Sequence, residues 1–305
     1  MSILSEINSY HIGHVQLIGG EVTLLKELPE YLRLLPKVQW KSIVTNGRKF
    51  RSDIEGLVDE IYISLHGESE QHEIITNEPD SYRVIEENIK KYVSWGIDVN
   101  SDTVLTKYNA DQILPIARNA SELGMKRLFL NIFQPEGIGS ERPDYSPSLE
   151  QIRSAITQMI EARDRLGIEM YFGTSTPLCL DERLITEKLG FRCGAGSWFG
   201  SINPSGELRI CNHSTKSYGN VVDAPLNKAW HSKSIDDDYR NADLKDDICS
   251  KCPALDICRG GCRINEDGVY RVDPIVSRDK SIILTHADMK RLINGSESPL
   301  LISYA

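Results

Sequence analysis

No apolar run in this 305-residue chain approaches the roughly 20 residues that a membrane span requires. Residues Met1 to His11 have neither a basic start nor a long apolar stretch, so no secretory signal is read there. Basic residues form no long run, and the net charge is −9. Phosphate backbones offer such a chain little, so nucleic acid is not expected as a partner, nor is a membrane. Internal repeats and low-complexity segments are also missing. These absences leave a soluble globular protein, 40% apolar, long enough for one large core and a smaller module. The acidic balance reads as solubility.

Short apolar runs alternate with amphipathic ones from about 14 to 174. Strands are predicted at His14–Ile18, Ser42–Val44, Glu60–Leu65, Asp98–Leu105, Arg127–Phe133 and Ile168–Phe172. Helices are predicted near 25–35, 52–58, 81–95, 110–123 and 148–166, the last opening at Ser146-Pro147. Gly96, Gly124 and Gly167 stand where helices should stop. The alternation implies an α/β fold, with a parallel sheet or barrel. It ends near Thr174, after which glycine, cysteine and turn residues dominate. Trp198–Ile202, Asn203-Pro204-Ser205-Gly206 and Glu207–Cys211 read as a β-hairpin, and 281–293 reads as a helix. The expected division is 1–174, 175–280 and a helical tail over 281–305.

Three short motifs close successive strands: Gly19-Gly20-Glu21, Thr45-Asn46-Gly47 and Ser64-Leu65-His66-Gly67. At the carboxyl ends of parallel strands they would share one mouth. Paired glycines let a ligand reach the backbone, and a carboxylate receives an ammonium. Each motif alone is an ordinary turn; the three together point to a site. His66 and His72 receive no role from their positions. Asp98 and Asp102 lie on a strand, where an aspartate is usually just hydrogen-bonded, so no general base is assigned.

All seven cysteines lie at position 179 or beyond. Cys249-x2-Cys252-x5-Cys258-x3-Cys262 packs four thiols into fourteen residues, and Cys193 and Cys211 form an upstream pair. Clustered thiols without a secretory signal argue for a reducing cytoplasm and against a disulfide framework. Soft sulfur ligands suit iron–sulfur clusters or zinc. Structural zinc more often takes two Cys-x2-Cys pairs with a longer gap, so the spacing favours a cluster and leaves zinc as the rival.

Cys193-x12-Gly206-x4-Cys211 and the later quartet, with Arg259-Gly260-Gly261 inside it, closely resemble the SPASM domain of radical S-adenosylmethionine enzymes. Gly19-Gly20-Glu21 through about Thr174 resembles the barrel of the same family. The resemblance implies a partial (β/α) barrel lacking its first strand, followed by a small cysteine-rich SPASM domain with a β-hairpin. It implies that Gly19, Gly20 and Glu21 lie against the methionyl ammonium of S-adenosyl-L-methionine, and that Thr45 and Ser64 contact that cofactor. It further implies up to two auxiliary [4Fe-4S] clusters, one on Cys193, Cys211 and Cys262 with Cys179 as fourth ligand, the other on Cys249, Cys252 and Cys258. The implied activity is that of an oxidoreductase or maturase. A 5′-deoxyadenosyl radical abstracts hydrogen from a peptide or protein side chain or, as an alternative, from a small molecule such as an aminosugar. A reductase or other electron donor is implied as a partner.

Two departures matter. The family's Cys-x3-Cys-x2-Cys segment would stand before Gly19, and the eighteen residues there hold no cysteine. The segment is therefore expected to be absent from this chain, and a non-catalytic iron–sulfur or electron-transfer protein is the alternative reading. Val276 stands about where family members carry a further cysteine. Without a preceding strand, one edge of His14–Ile18 is expected to lie open, covered by a partner chain or a local segment.

Overall fold

The computed structural model describes residues 3–135, 137–190, 192–240, 248–264, 273, 275–276 and 283–295. The chain divides into two compact units, residues 1–133 with 150–173, and residues 134–149 with 174–305.

The first unit is built on six parallel strands: β1 His14–Leu17, β2 Trp40–Thr45, β3 Glu60–Ser64, β4 Asp98–Leu105, β5 Arg127–Ile132 and β6 Glu169–Phe172. They lie side by side in chain order. Parallel neighbours need a crossover, and the main helices are α1 Ile3–Asn8, α2 Leu28–Arg33, α3 Ser69–Thr76, α4 Ser81–Val93, α5 Ile113–Glu122 and α6 Leu149–Leu166. The sheet is open. Among the described residues, neither the outer edge of β1 nor that of β6 has a strand partner.

Register sorts the strand residues onto two faces. Ile43, Ile61, Ile63, Leu128, Leu130 and Phe172 share one face and are wholly buried, as are Ile89, Ile113, Ile116, Ile152 and Met159 of the helices. This is the core of the unit, and each of its aliphatic side chains contributes about 1.5–3 kcal/mol by leaving water. The opposite face is mostly polar, with Ser42, Glu60, Tyr62, Ser64, Asn100, Asp102, Arg127, Asn131, Glu169 and Tyr171, and with Val44, Val104 and Phe129 among them. At the amino ends of the strands Arg127 bridges Glu60 at 3.1 Å, Asp98 at 3.0 Å and Glu169 at 3.2 Å. Trp40 Nε1 donates to Glu60 at 3.1 Å. This network ties five strands, β2 to β6, together at the end opposite their carboxyl termini.

β1 is four residues long, and Val15 and Leu17 are only half-buried. A strand with neighbours on one side alone buries less, which accounts for the contrast with β2 and β3. Two predicted helices are shorter than their patterns. Near 25–35 the helix starts only at Leu28, because Val22–Leu24 forms a separate 3₁₀ turn capped by the Glu21 side chain. Near 52–58 only Ser52–Ile54 turns, ahead of Gly56 at φ +70°.

The second unit is turn-rich. Its hairpin joins β7 Ser201–Ile202 to β8 Leu208–Arg209, antiparallel. The strands are shorter than the sequence pattern suggests, because the amides of Ser197, Trp198 and Phe199 all fold back on the Gly194 carbonyl. Of the helix predicted over 281–293, residues 281 and 282 lie outside the described residues. The observed helix is His286–Gly295. No described helix is long and apolar enough to cross a membrane.

Candidate functional site

The three strand-end motifs meet at the carboxyl end of β1, β2 and β3. Glu21 is the organising residue. Its Oε1 accepts from the Thr23 amide at 3.1 Å, the Thr23 hydroxyl at 2.6 Å and the Thr45 hydroxyl at 2.6 Å. Its Oε2 accepts from the Asn46 amide at 2.7 Å. Four donors fix the carboxylate in one orientation, and hydrogen bonds to a charged acceptor are the strong ones. Gly19 and Gly20 are exposed, and a Cβ built on either meets nothing within 4 Å. Neither has positive φ. Packing within the chain and backbone angle therefore give no reason for glycine at either position. Both leave the backbone bare beside the Glu21 carboxylate.

Behind this cradle the β2 turn is rigid. Gly47 sits at φ +74°, and an added Cβ would stand 2.7 Å from Ile63 Cγ2. Asn88 of α4 donates to the Gly47 carbonyl at 2.9 Å and the Arg48 carbonyl at 3.1 Å. Buried Arg51 donates to the carbonyls of Thr23 at 2.9 Å and Leu25 at 2.5 Å. Thr45 is 2% exposed, and besides binding Glu21 its hydroxyl accepts from the Gly47 amide at 3.1 Å. Thr45 thus points at the carboxylate it positions. Ser64 lies on the polar face, in register with Asp102.

Asp102 is the residue that sequence reasoning considered and left unassigned. Burial pushes its carboxyl up to about 6, opposed by a hydrogen bond from Asn131. The available signal was its period-two alternation with Asn100, which puts it on the polar face opposite Ser64. His66 and His72 stack with ring centroids 5.7 Å apart. Burial pulls them down to about 3 and about 4, with His72 adding to the effect on His66. His66 Nδ1 accepts from the Val104 amide at 3.2 Å, and His72 Nδ1 accepts from the His66 amide at 3.1 Å. Both therefore pin the loop after β3.

All seven cysteines lie in the second unit. They fall into two neighbourhoods. Burial, then the thiols of Cys258, Cys249 and Cys252, push the Cys179 thiol up. Burial, then Asp273, then Cys193 and Cys211, push Cys262 up. Burial and Cys193 raise Cys211 to about 11 against two backbone amides, His213 and Ser214. The Tyr239 hydroxyl hydrogen-bonds Cys193, and its ring carries the Arg263 guanidinium 4.4 Å from the centroid. Cys179, expected with Cys193, Cys211 and Cys262, thus has the thiols of Cys258, Cys249 and Cys252 around it. The fold carries the segment after β6 to the Cys249–Cys258 side, next to the carboxyl end of the helical turn Leu255–Cys258.

The sulfurs are also met by backbone amides. Leu178 N donates to Cys258 Sγ at 3.5 Å and Ala254 N to Cys252 Sγ at 3.4 Å. Gly260 and Gly261 also donate to Cys258. Arg259, Gly260 and Gly261 are three successive residues at positive φ (56°, 83° and 76°), a curl that turns the Gly260 and Gly261 amides back on the thiol while the Arg259 amide donates to the Leu255 carbonyl at 2.8 Å. Among the described residues no three ligating side chains close on a single point as one ion demands. A tetrahedral zinc, with Zn–S of about 2.3 Å, would draw its thiolates to within roughly 4 Å of each other. A four-iron cluster is a larger body ligated at its corners, and amide donors to its sulfurs are usual. An all-thiol donor set met by backbone amides is the chemistry of an iron–sulfur cluster.

Residues 193–253 match the SPASM family of iron–sulfur cluster-binding domains. The chain is 30% identical over 166 residues to a probable GTP 3′,8-cyclase of Sulfurisphaera tokodaii, covering 52% of this chain and 53% of that protein. It is 22% identical to the Fe-coproporphyrin III synthase of Methanosarcina barkeri (88% and 75%) and 24% identical to the PqqA peptide cyclase of Xanthomonas euvesicatoria (60% and 50%). The chain thus spans about half the length of two of these relatives. Its fold matches Streptococcus suis SuiB bound to S-adenosylmethionine, with a TM-score of 0.71 at 16% identity over 90% of this chain and 68% of SuiB. SuiB bound to its precursor peptide SuiA matches with a TM-score of 0.69, over 86% of this chain and 64% of SuiB.

Proposed function

This chain joins the fold of the radical S-adenosylmethionine enzymes to a SPASM domain, and from that premise we propose that it binds S-adenosylmethionine at the β1–β3 end and serves the modification of a peptide. The observation that carries the reading is the cradle: bare backbone at Gly19 and Gly20 beside a Glu21 carboxylate locked by Thr45 and Asn46. The carboxylate takes the methionyl ammonium; Thr45, Asn46 and Thr23 hold it for that task; Ser64 and Asp102 line the polar face beyond it. When bound and given one electron by a reduced cluster, the cofactor would release methionine and supply a 5′-deoxyadenosyl radical able to take hydrogen from an unreactive carbon. The seven cysteines hold two auxiliary clusters, which accept an electron or hold substrate.

A peptide is favoured as substrate because two of the similar proteins, the PqqA peptide cyclase and SuiB with its precursor peptide, are named for peptides. A second reading has one observation behind it. Residues 1–178 contain no cysteine, so thiolates for cleaving the cofactor are not among them. On that reading the chain binds cofactor and clusters without cleaving. Anaerobic reconstitution followed by a 5′-deoxyadenosine assay separates the two: nucleoside formed at turnover supports the enzyme, and cofactor bound intact supports the second reading. Failure to bind S-adenosylmethionine at all would defeat both.

A further inference from the structure

We propose that Cys179 is the fourth thiolate of the Cys249, Cys252 and Cys258 set, leaving Cys193, Cys211 and Cys262 as a three-thiolate site whose remaining iron takes a ligand other than cysteine. The proposal rests on the reading that this unit binds iron–sulfur clusters, and it concerns only which thiol serves which cluster.

Backbone geometry makes the case. The Leu178 amide reaches Cys258 Sγ at 3.5 Å in a buried contact. Pro177 lies so close to Gly261 that a Cβ there would stand 2.5 Å from Pro177 Cγ. Only glycine at 261 lets the 177–179 segment approach the Cys258–Cys262 turn. The Cys179 carbonyl accepts from the Leu284 amide at 2.8 Å, which holds the residue from its other side. Its side chain packs against Cys249 and Val276, the latter 1% exposed, in a small apolar cluster with Leu255, Ile275 and Ile283. A thiol packed against Cys249 in an apolar shell, one residue from the amide that meets Cys258 Sγ, suits a cluster corner, where the ligand sheds its proton as iron binds.

The test uses the full chain, reconstituted anaerobically with ferrous iron and sulfide, in two backgrounds. Cys193→Ala/Cys211→Ala keeps only the second set, and Cys249→Ala/Cys252→Ala keeps only the first. Each should retain about four irons if one [4Fe-4S] cluster survives. Adding Cys179→Ala is expected to lower iron by half or more in the first background and to leave the second unchanged. Loss in the second background alone, or in neither, would overturn the assignment. Circular dichroism checks that each variant is folded. Should Cys179→Ala unfold, Cys179→Ser replaces it, and the reduced cluster's electron paramagnetic resonance spectrum is expected to change in the first background only; a change in the second only, or in neither, overturns the assignment. If the unsubstituted chain takes up no iron and sulfide, the cluster reading itself has failed, a result distinct from any of these.

Discussion

Glu21 shows how much one side chain organises. Its two oxygens collect four donors from three residues, Thr23, Thr45 and Asn46. Glu21→Gln keeps the size but loses the charge that receives an ammonium. A charge-assisted hydrogen bond contributes about 1.5–3 kcal/mol, so S-adenosylmethionine should bind roughly 10- to 100-fold more weakly by calorimetry. Iron content should stay constant; iron lost in step with affinity would make Glu21 a structural residue. Asp102 carries a second prediction. Its carboxyl is raised from 3.8 to about 6, so between those values the folded state holds more proton than the unfolded one. Its contribution is therefore present at low pH and lost as pH climbs from about 4 to about 6. Relative to Asp102→Asn, the parent chain should lose up to about 3 kcal/mol over that window in urea titrations. Parallel stability curves for the two proteins would remove the shift.

Elements were legible in the sequence where a period governed them. All six strands fall where alternation and flanking turns put them, within about two residues, because each has an apolar face that must meet helices. The hairpin was legible from Asn203-Pro204-Ser205-Gly206, though not its length, since the Gly194 carbonyl draws away the amides that would have extended β7. Contacts between distant segments were not legible. Nothing local announces that Thr45 serves Glu21 from 24 residues away, or that Cys179 faces Cys258. Gly47 tests the β2 turn as a unit. Its φ of +74° and the 2.7 Å approach to Ile63 mean that Gly47→Ala strains backbone and core together. The cost should be about 1–3 kcal/mol in chemical denaturation, with weaker cofactor binding because the Asn46 amide moves. A neutral substitution would show that the turn is slack.

At the scale of the whole molecule, the chain keeps two kinds of chemistry in two separate units. The first offers a polar sheet face with bare backbone at Gly19 and Gly20 beside the Glu21 carboxylate at its carboxyl end, where S-adenosylmethionine is the proposed occupant. The second gathers seven buried or half-buried thiols, and burial pushes those of Cys179, Cys211, Cys252, Cys258 and Cys262 up, toward the protonated form; on the proposed reading iron claims them. The decisive measurement is iron and acid-labile sulfide per chain after anaerobic reconstitution, read with Mössbauer spectroscopy. Two clusters predict about eight irons and about as many sulfides. Zinc bound in their place without sulfide, or no metal at all, would contradict the account.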